Sequence, residues 1–206
     1  MKSPQWYPSS VREALEPEDT ALIFWDLQYG LAGHACNLEP LKESWRRLRA
    51  AAEQAGIMVL LSRHVAPKPD MMDGADLWRI SRRVRGANKP EDYMQEGSRD
   101  VEFLEGFEAR ENDLVIQKRT ASLFIGTEAE ARLHARGIRN IVMSGVATNI
   151  GIDLTARHAL CLGFFPVIVE DAVGAFTPEG HDNAMVLMSN WSLVTDTDSV
   201  VTEWTK

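Results

Sequence analysis

The sequence has few cysteines and no long hydrophobic run, and both shortages narrow the classes of protein that it can encode. Cys36 and Cys161 are its two cysteines, which is too few for a disulfide framework or a zinc site. They favour a reducing cytoplasm, and we expect Cys161 to be a small buried hydrophobic residue. No stretch approaches the roughly 20 apolar residues of a membrane span, and residues 1–19 lack the apolar run of a signal peptide.

Positive charge is also scarce. The 206 residues carry a formal net charge of −8, so the surface lacks the basic footprint that nucleic acids and anionic membranes attract. The composition is otherwise ordinary, with 45% hydrophobic and 25% charged residues, and the length suits one domain with its own core. We therefore predict a single domain over residues 1–206 that binds neither nucleic acid nor an anionic membrane.

Apolar, β-rich segments alternate with amphipathic helical segments. The predicted strands are residues 20–26, 57–63, 113–118, 139–145, 165–171 and 192–196. The predicted helices are residues 40–55, 127–136, 149–162 and 178–190, with Thr127 and Asn149 as N-caps and Pro178 in the first turn of the last one. This alternation predicts a parallel sheet covered by helices on both faces, a three-layer α/β/α fold. Ligands of such sheets bind at the carboxyl ends of the strands.

The segment 64–112 interrupts this alternation, because it is too long for a plain crossover. It contains several prolines and a basic run, and we expect a short helix within a long excursion, a candidate lid. Arg79, Arg82 and Arg83 would share one face of that helix. The guanidinium of Arg79 or Arg83 is a candidate ligand for a substrate carboxylate, with solvated surface arginines as the alternative.

Polar residues follow the predicted strands at their carboxyl ends. Asp26 comes directly after the apolar run ALIFW, and Lys118 ends the third strand. A carboxylate in that position is costly to bury unless it is paired, so we predict that Asp26 and Lys118 meet in one polar site. His64 ends the second strand and is a candidate for the wall of that site. We expect Trp25, like the other tryptophans, in the core or in an interface.

Three motifs at these strand ends resemble the isochorismatase-like superfamily of cysteine hydrolases, which includes nicotinamidases, carbamoyl-sarcosine amidases and isochorismatases. They are Asp-x-Gln at Asp26, residues 118–127 (KRTASLFIGT) and residues 145–159 (GVATNIGIDLTARHA). The match covers roughly residues 20–200. The resemblance implies a Rossmann-like sheet of six parallel strands in the order 3-2-1-4-5-6 and a homo-oligomer, either a dimer or a tetramer.

The sequence departs from the superfamily at its nucleophile. The superfamily's catalytic cysteine falls on Gly151, and His158 stands where an aspartate is common. Without a thiolate there is no covalent thioester route at this position. Cys161 is no substitute, because it lies far along the same helix. Isochorismatases resemble this chain in carrying glycine here, and they cleave a vinyl ether by protonation and attack of water.

The resemblance also implies roles for single residues. Asp26 would be the acid, and Lys118 would orient it and balance its charge. A cis peptide bond between Val146 and Ala147 would aim the amides of Ala147 and Gly151 into the site, as in an oxyanion hole. The remaining candidate substrate contacts from these motifs are Ile150 and Phe124.

The leading hypothesis is therefore water-based hydrolysis of a small carboxylated substrate, with vinyl ether cleavage as the chemical model. Two alternatives stay open: hydrolysis of an amide-type C–N bond by directly activated water, and a non-catalytic binding or regulatory protein. Nicotinamidases bind a metal through an Asp-x-His pair and further histidines, whereas residues 65–80 contain no histidine. We expect neither a catalytic metal nor a cofactor.

Overall fold

The structure of the protein, a computed structural model, describes residues 5–82 and 89–206. The strands are β1 (Thr20–Trp25), β2 (Met58–His64), β3 (Leu114–Lys118), β4 (Asn140–Val146), β5 (Phe165–Gly174) and β6 (Leu193–Thr195). The helices are α1 (Leu38–Gln54), α2 (Gly74–Ser81), α3 (Ala129–Ala135), α4 (Asp153–Cys161), α5 (Pro178–Met188) and α6 (Thr197–Trp204). None of these helices is both long enough and apolar enough to cross a membrane.

The six strands form one parallel sheet in the order β3-β2-β1-β4-β5-β6, which confirms the predicted fold class and strand order. Ile23 of β1 lies opposite Leu60 of β2 and Met143 of β4, so β1 is central. The chain builds the sheet outward from β1 in both directions, and the boundary between β1 and β4 is the switch point where ligands of such sheets bind. Asp26 follows β1 and Val146 ends β4 at this point.

The side chains of β1 alternate between two core layers, because successive residues of a strand point to opposite faces of the sheet. Leu22 and Phe24 belong to the layer that also contains apolar residues of α1 and α6. Ile23 and Trp25 belong to the layer that contains residues of α3, α4 and α5. Trp25 therefore faces the side of the sheet on which α4 packs.

Some of the predicted helix starts are wrong. Pro178 begins α5 as predicted, behind the N-cap Thr177. Asn149 is not an N-cap, because it lies inside a π-helical turn over Thr148–Ile152 that leads into α4. Thr127 lies one residue before the N-cap position of α3. The hydroxyl of Thr127 still accepts a hydrogen bond from the Ala129 N–H, the first of that helix. Thr127 therefore acts as a cap although the N-cap residue is Glu128.

The expectation that Cys161 is buried is also wrong, since it is exposed. The buried residues of α4 include Ala156 and Ala159. Cys161 follows Ala159 by two positions, and residues two apart on a helix face in nearly opposite directions. Helix α6 was not predicted; the carboxylate of Asp196 accepts the Ser199 N–H at its start.

The excursion between β2 and β3 contains the predicted short helix, α2. Ile80 of α2 packs in a small separate cluster with Met94 and Val101 from the same excursion and with Leu31, which follows β1. The described part of the excursion is therefore anchored beside the carboxyl end of β1.

Candidate active site

The carboxylate of Asp26 is buried and bonded through both oxygens. Its Oδ2 accepts a hydrogen bond from the Lys118 ammonium at 2.7 Å, and its Oδ1 accepts one from the Ser62 hydroxyl at 2.5 Å. The Ser62 oxygen in turn accepts the backbone N–H of Asp26 at 3.0 Å. The side chains of Asp26 and Lys118 are 6% and 1% exposed. Pairing and hydrogen bonding offset the large cost of burying both charges, so the predicted meeting of these two residues is present.

The backbone at the end of β1 has a conformation that few residues adopt. Asp26 has φ of +50°, a region that costs residues with a side chain about 1–2 kcal/mol and that Asp and Asn tolerate best. Gly145 of β4 lies opposite Trp25, the residue before Asp26, and has φ of +112°. A Cβ on Gly145 would come within 2.2 Å of the Trp25 carbonyl oxygen. The close approach of β1 and β4 at the switch point therefore requires glycine at 145.

The side chain of Gln28 joins the ends of β1 and β2. It is fully buried; its Oε1 accepts the His64 N–H at 2.7 Å, and its Nε2 donates to the carbonyl oxygens of His64 and Val101 at 3.0 and 2.9 Å. The amide of Gln28 thus satisfies both backbone groups of His64, as a neighbouring strand would. This explains the structural use of the Asp-x-Gln motif: the glutamine fixes the position of His64 relative to Asp26.

A small cavity of about 20 Å³ lies between the carboxyl ends of β1, β2, β3 and β4. Its wall contains these predicted site residues: Asp26, His64, Lys118, Val146, Ala147, Ile150 and Gly151. Its wall also contains Trp25, Leu31, Thr120, Ala121 and Phe176. A volume of this size holds about one ordered water. The predicted polar site is therefore assembled at the switch point, with space for a water-sized group.

Phe124 and Arg79, two of the predicted contacts, do not belong to the described wall of this cavity. Phe124 is buried in the core instead, where its ring stacks on Phe164 with centroids 5.8 Å apart. Arg79 forms an ion pair with Asp76 of its own helix at 3.0 Å, which neutralises its charge away from the cavity wall. Arg83 lies outside the described residues.

The peptide bond between Val146 and Ala147 is cis, as the resemblance implied. The carbonyl oxygen of Ala147 accepts the N–H groups of Ile150 and Ile152, both at 3.2 Å. The turn that follows β4 is closed by these bonds, and it brings Ala147 and Gly151 into the same cavity wall.

His158, at the position where an aspartate is common in the superfamily, contacts two residues of the loop that follows β3. Its Nδ1 lies 2.8 Å from the Ser122 hydroxyl, and its ring meets that of Phe124 edge to face at 5.4 Å. These contacts tie α4 to the loop after β3. In the ranges that the structure covers, no group of three or more His, Cys, Asp or Glu side chains could hold a metal ion, and the absence of a cofactor stays a prediction.

Trp25 was expected in the core or in an interface, and its place in the cavity wall was not predicted. Its indole is 1% exposed, and the Lys118 Nζ lies 4.2 Å from the ring centroid. The indole also lies against Gly151. Both contacts of the indole are with residues far from Trp25 in the chain, so no local sequence pattern predicts them. The sequence signal that could have placed Trp25 near the site is its position directly before Asp26.

Comparison with known proteins shows the family and supports the fold. The family model of the isochorismatase domain matches residues 20–199. The ureidoacrylate amidohydrolase of Acinetobacter baylyi is 30% identical over 91% of this chain and 84% of its own length. A cysteine hydrolase structure from Pseudomonas syringae pv. phaseolicola has 21% identity and a TM-score of 0.80, covering 91% of this chain and 93% of that one. The nicotinamidase structure from Bacillus subtilis has 23% identity and a TM-score of 0.69, covering 86% and 99%. The chain therefore belongs to the isochorismatase family of hydrolases.

Proposed function

We propose that the protein hydrolyses an amide-type C–N bond of a small ureido or carboxamide compound, with water as the nucleophile. The observation that carries the proposal is the buried pair of Asp26 and Lys118, which borders a cavity of one-water size. The motif resemblance places Gly151, in the same wall, at the position of the superfamily's nucleophilic cysteine, and in our proposal the nucleophile therefore comes from solvent.

The names of similar proteins favour this alternative over the vinyl ether cleavage that led the sequence-based hypotheses. The relative that is 30% identical is a ureidoacrylate amidohydrolase, and one structural neighbour is a nicotinamidase. Both names describe amide-type chemistry.

In the proposed reaction Asp26 acts first as a base and then as an acid. Its carboxylate accepts a proton from water while the water oxygen forms a bond to the carbonyl carbon, and the C=O electron pair moves onto the carbonyl oxygen. The backbone N–H groups of Ala147 and Gly151 are the candidates to stabilise that oxyanion. Asp26 then returns the proton to the nitrogen as the C–N bond breaks and the C=O bond re-forms. Lys118 keeps the carboxylate in place throughout.

The test measures ammonia release from a panel of terminal ureido acids and carboxamides that includes ureidoacrylate and nicotinamide. We expect turnover of at least one compound and a loss of about 100-fold or more in Asp26→Asn, a change that keeps the shape and tolerates the positive φ. We expect the double variant Cys36→Ser, Cys161→Ser to retain its rate within twofold, since both thiols are exposed and away from the cavity. A folded double variant without activity would overturn the water mechanism.

The second candidate function is cleavage of a vinyl ether, which Gly151 favours because that reaction needs an acid and water but no thiol. Asp26 would protonate the enol carbon, and water would add to the resulting oxocarbenium. A lactate-dehydrogenase-coupled assay for pyruvate from isochorismate separates the two. Pyruvate without ammonia release would replace the first proposal by the second. Neither product from a well-folded sample would indicate a binding or regulatory protein.

A further inference from the structure

The indole of Trp25 occupies the space that a side chain at position 151 would need. A Cβ placed on Gly151 would lie 2.3 Å from Nε1, 2.6 Å from Cε2 and 2.7 Å from Cζ2 of the indole. Real Cβ atoms essentially never approach other atoms within 3.0 Å. The indole cannot give way easily, because it is 1% exposed and packs in the core layer beside α4. Any side chain at 151 would therefore have to displace the buried indole, at a cost in stability.

The same indole contacts the charged pair. The Lys118 ammonium lies 4.2 Å from the ring centroid, well within the roughly 6 Å range of a cation–π interaction. It lies 2.7 Å from the Asp26 carboxylate at the same time. Trp25 thus touches both the lysine that holds Asp26 and the position where the family has its nucleophile.

We propose that Trp25 determines the specificity of this site, an inference that rests on the proposed function and extends it. The indole occupies the space beside Gly151 and forms part of the cavity wall. Asp26 returns its proton to the reacting nitrogen in the proposed reaction, so this nitrogen has to lie beside the Asp26 carboxylate, whose partner Lys118 contacts the indole. A methyl group on that nitrogen would meet the buried indole. The substrates are therefore unsubstituted amides or ureas, which release ammonia, and N-alkylated ones are excluded.

The first test measures stability and needs no substrate. Gly151→Ala is expected to lower the melting temperature by about 3–10 °C in the natural background, because the added methyl group overpacks against the indole. In a Trp25→Leu background the same change is expected to cost less than half as much. Equal losses in both backgrounds would overturn the claim that the indole fills this space. If Trp25→Leu fails to fold, Trp25→Phe, which removes the pyrrole edge, provides the second background.

The second test compares kcat/KM for an N-methylated and an unsubstituted form of the best compound in the panel. We expect the ratio to rise at least tenfold in Trp25→Phe. Trp45→Phe is the matched control, since Trp45 is equally buried but lies in the opposite core layer, and its indole donates to the Ala172 carbonyl oxygen. We expect that control to leave the ratio within twofold. An unchanged ratio in Trp25→Phe would refute the specificity role, whereas a natural protein without any turnover would refute the proposed function alone.

Discussion

The buried pair of Asp26 and Lys118 is expected to make the loss of one charge more costly than the loss of both. At the observed 2.7 Å, two unit charges attract each other by about 6 kcal/mol at an effective dielectric constant of about 20. Removing each ion from water costs several kcal/mol, so attraction and desolvation nearly cancel. Lys118→Met keeps most of the side-chain stem and leaves Asp26 buried without its counter-ion. We expect it to lower the free energy of unfolding by about 3–5 kcal/mol, or the melting temperature by about 6–20 °C.

The measurement is urea unfolding at pH 7, followed by circular dichroism. The double variant Asp26→Asn, Lys118→Met should be more stable than Lys118→Met alone, because no uncompensated charge remains. Arg132→Met is the control for an exposed ion pair: Arg132 and Glu128 are 3.1 Å apart and both more than half exposed, and such pairs contribute about 0–1 kcal/mol. A cost below about 1 kcal/mol for Lys118→Met would show that water reaches the pair, which would refute this reasoning.

Three further changes test other parts of the structure. The Ser199 backbone N–H donates to the Asp196 carboxylate and lowers the pKa of that carboxyl in the folded protein. The cap therefore stabilises α6 fully at pH values above the ordinary aspartate pKa of about 3.9. This stabilisation is lost as the pH falls through the lower pKa of the folded state. Asp196→Ala should cost up to about 1 kcal/mol at pH 7 and less in urea titrations at pH 3; a deficit independent of pH would contradict this. Gly145→Ala should prevent folding, because its Cβ would overlap the Trp25 backbone. Gly137 also has a positive φ but no atom near a Cβ, so Gly137→Ala should lower the free energy of unfolding by only about 1–2 kcal/mol. Equal melting temperatures of the two variants would contradict this prediction. Gln28→Leu should destabilise by at least about 2 kcal/mol, because it leaves several buried backbone groups without partners, and should speed amide exchange at the end of β2; unchanged exchange would argue against the bridge.

The sheet and the charged pair could be predicted because they follow from local patterns and one topological rule. Asp26 and Lys118 each follow a recognisable apolar strand, and parallel strands end at the same edge of a sheet. Their separation in the chain did not matter, since the strand order that the resemblance implied places β1, β2 and β3 side by side. The glycine at 151 was visible in the sequence as well, because the surrounding motif is dense enough to align it.

The contacts of individual side chains could not be predicted in this way. The strand pattern marks Trp25 as buried, but it does not show that the indole turns toward Gly151 and not into the centre of the core. Arg79 was a reasonable carboxylate ligand from its charge, yet its pairing depends on the nearby Asp76 of the same helix. Phe124 was a candidate because it lies in a motif that resembles the superfamily's, but its apolar ring is buried against Phe164. Such choices depend on packing in three dimensions.

The contact between Trp25 and Gly151 restricts the order in which mutations can convert this site. A cysteine at 151 would force the buried indole to shift, since its Cβ would overlap the ring. A lineage that moves toward thiol chemistry therefore keeps more stability if residue 25 becomes smaller first. A lineage that moves away from thiol chemistry keeps more stability if it loses the side chain at 151 before it gains tryptophan at 25. The contact thus favours one order of substitutions in each direction.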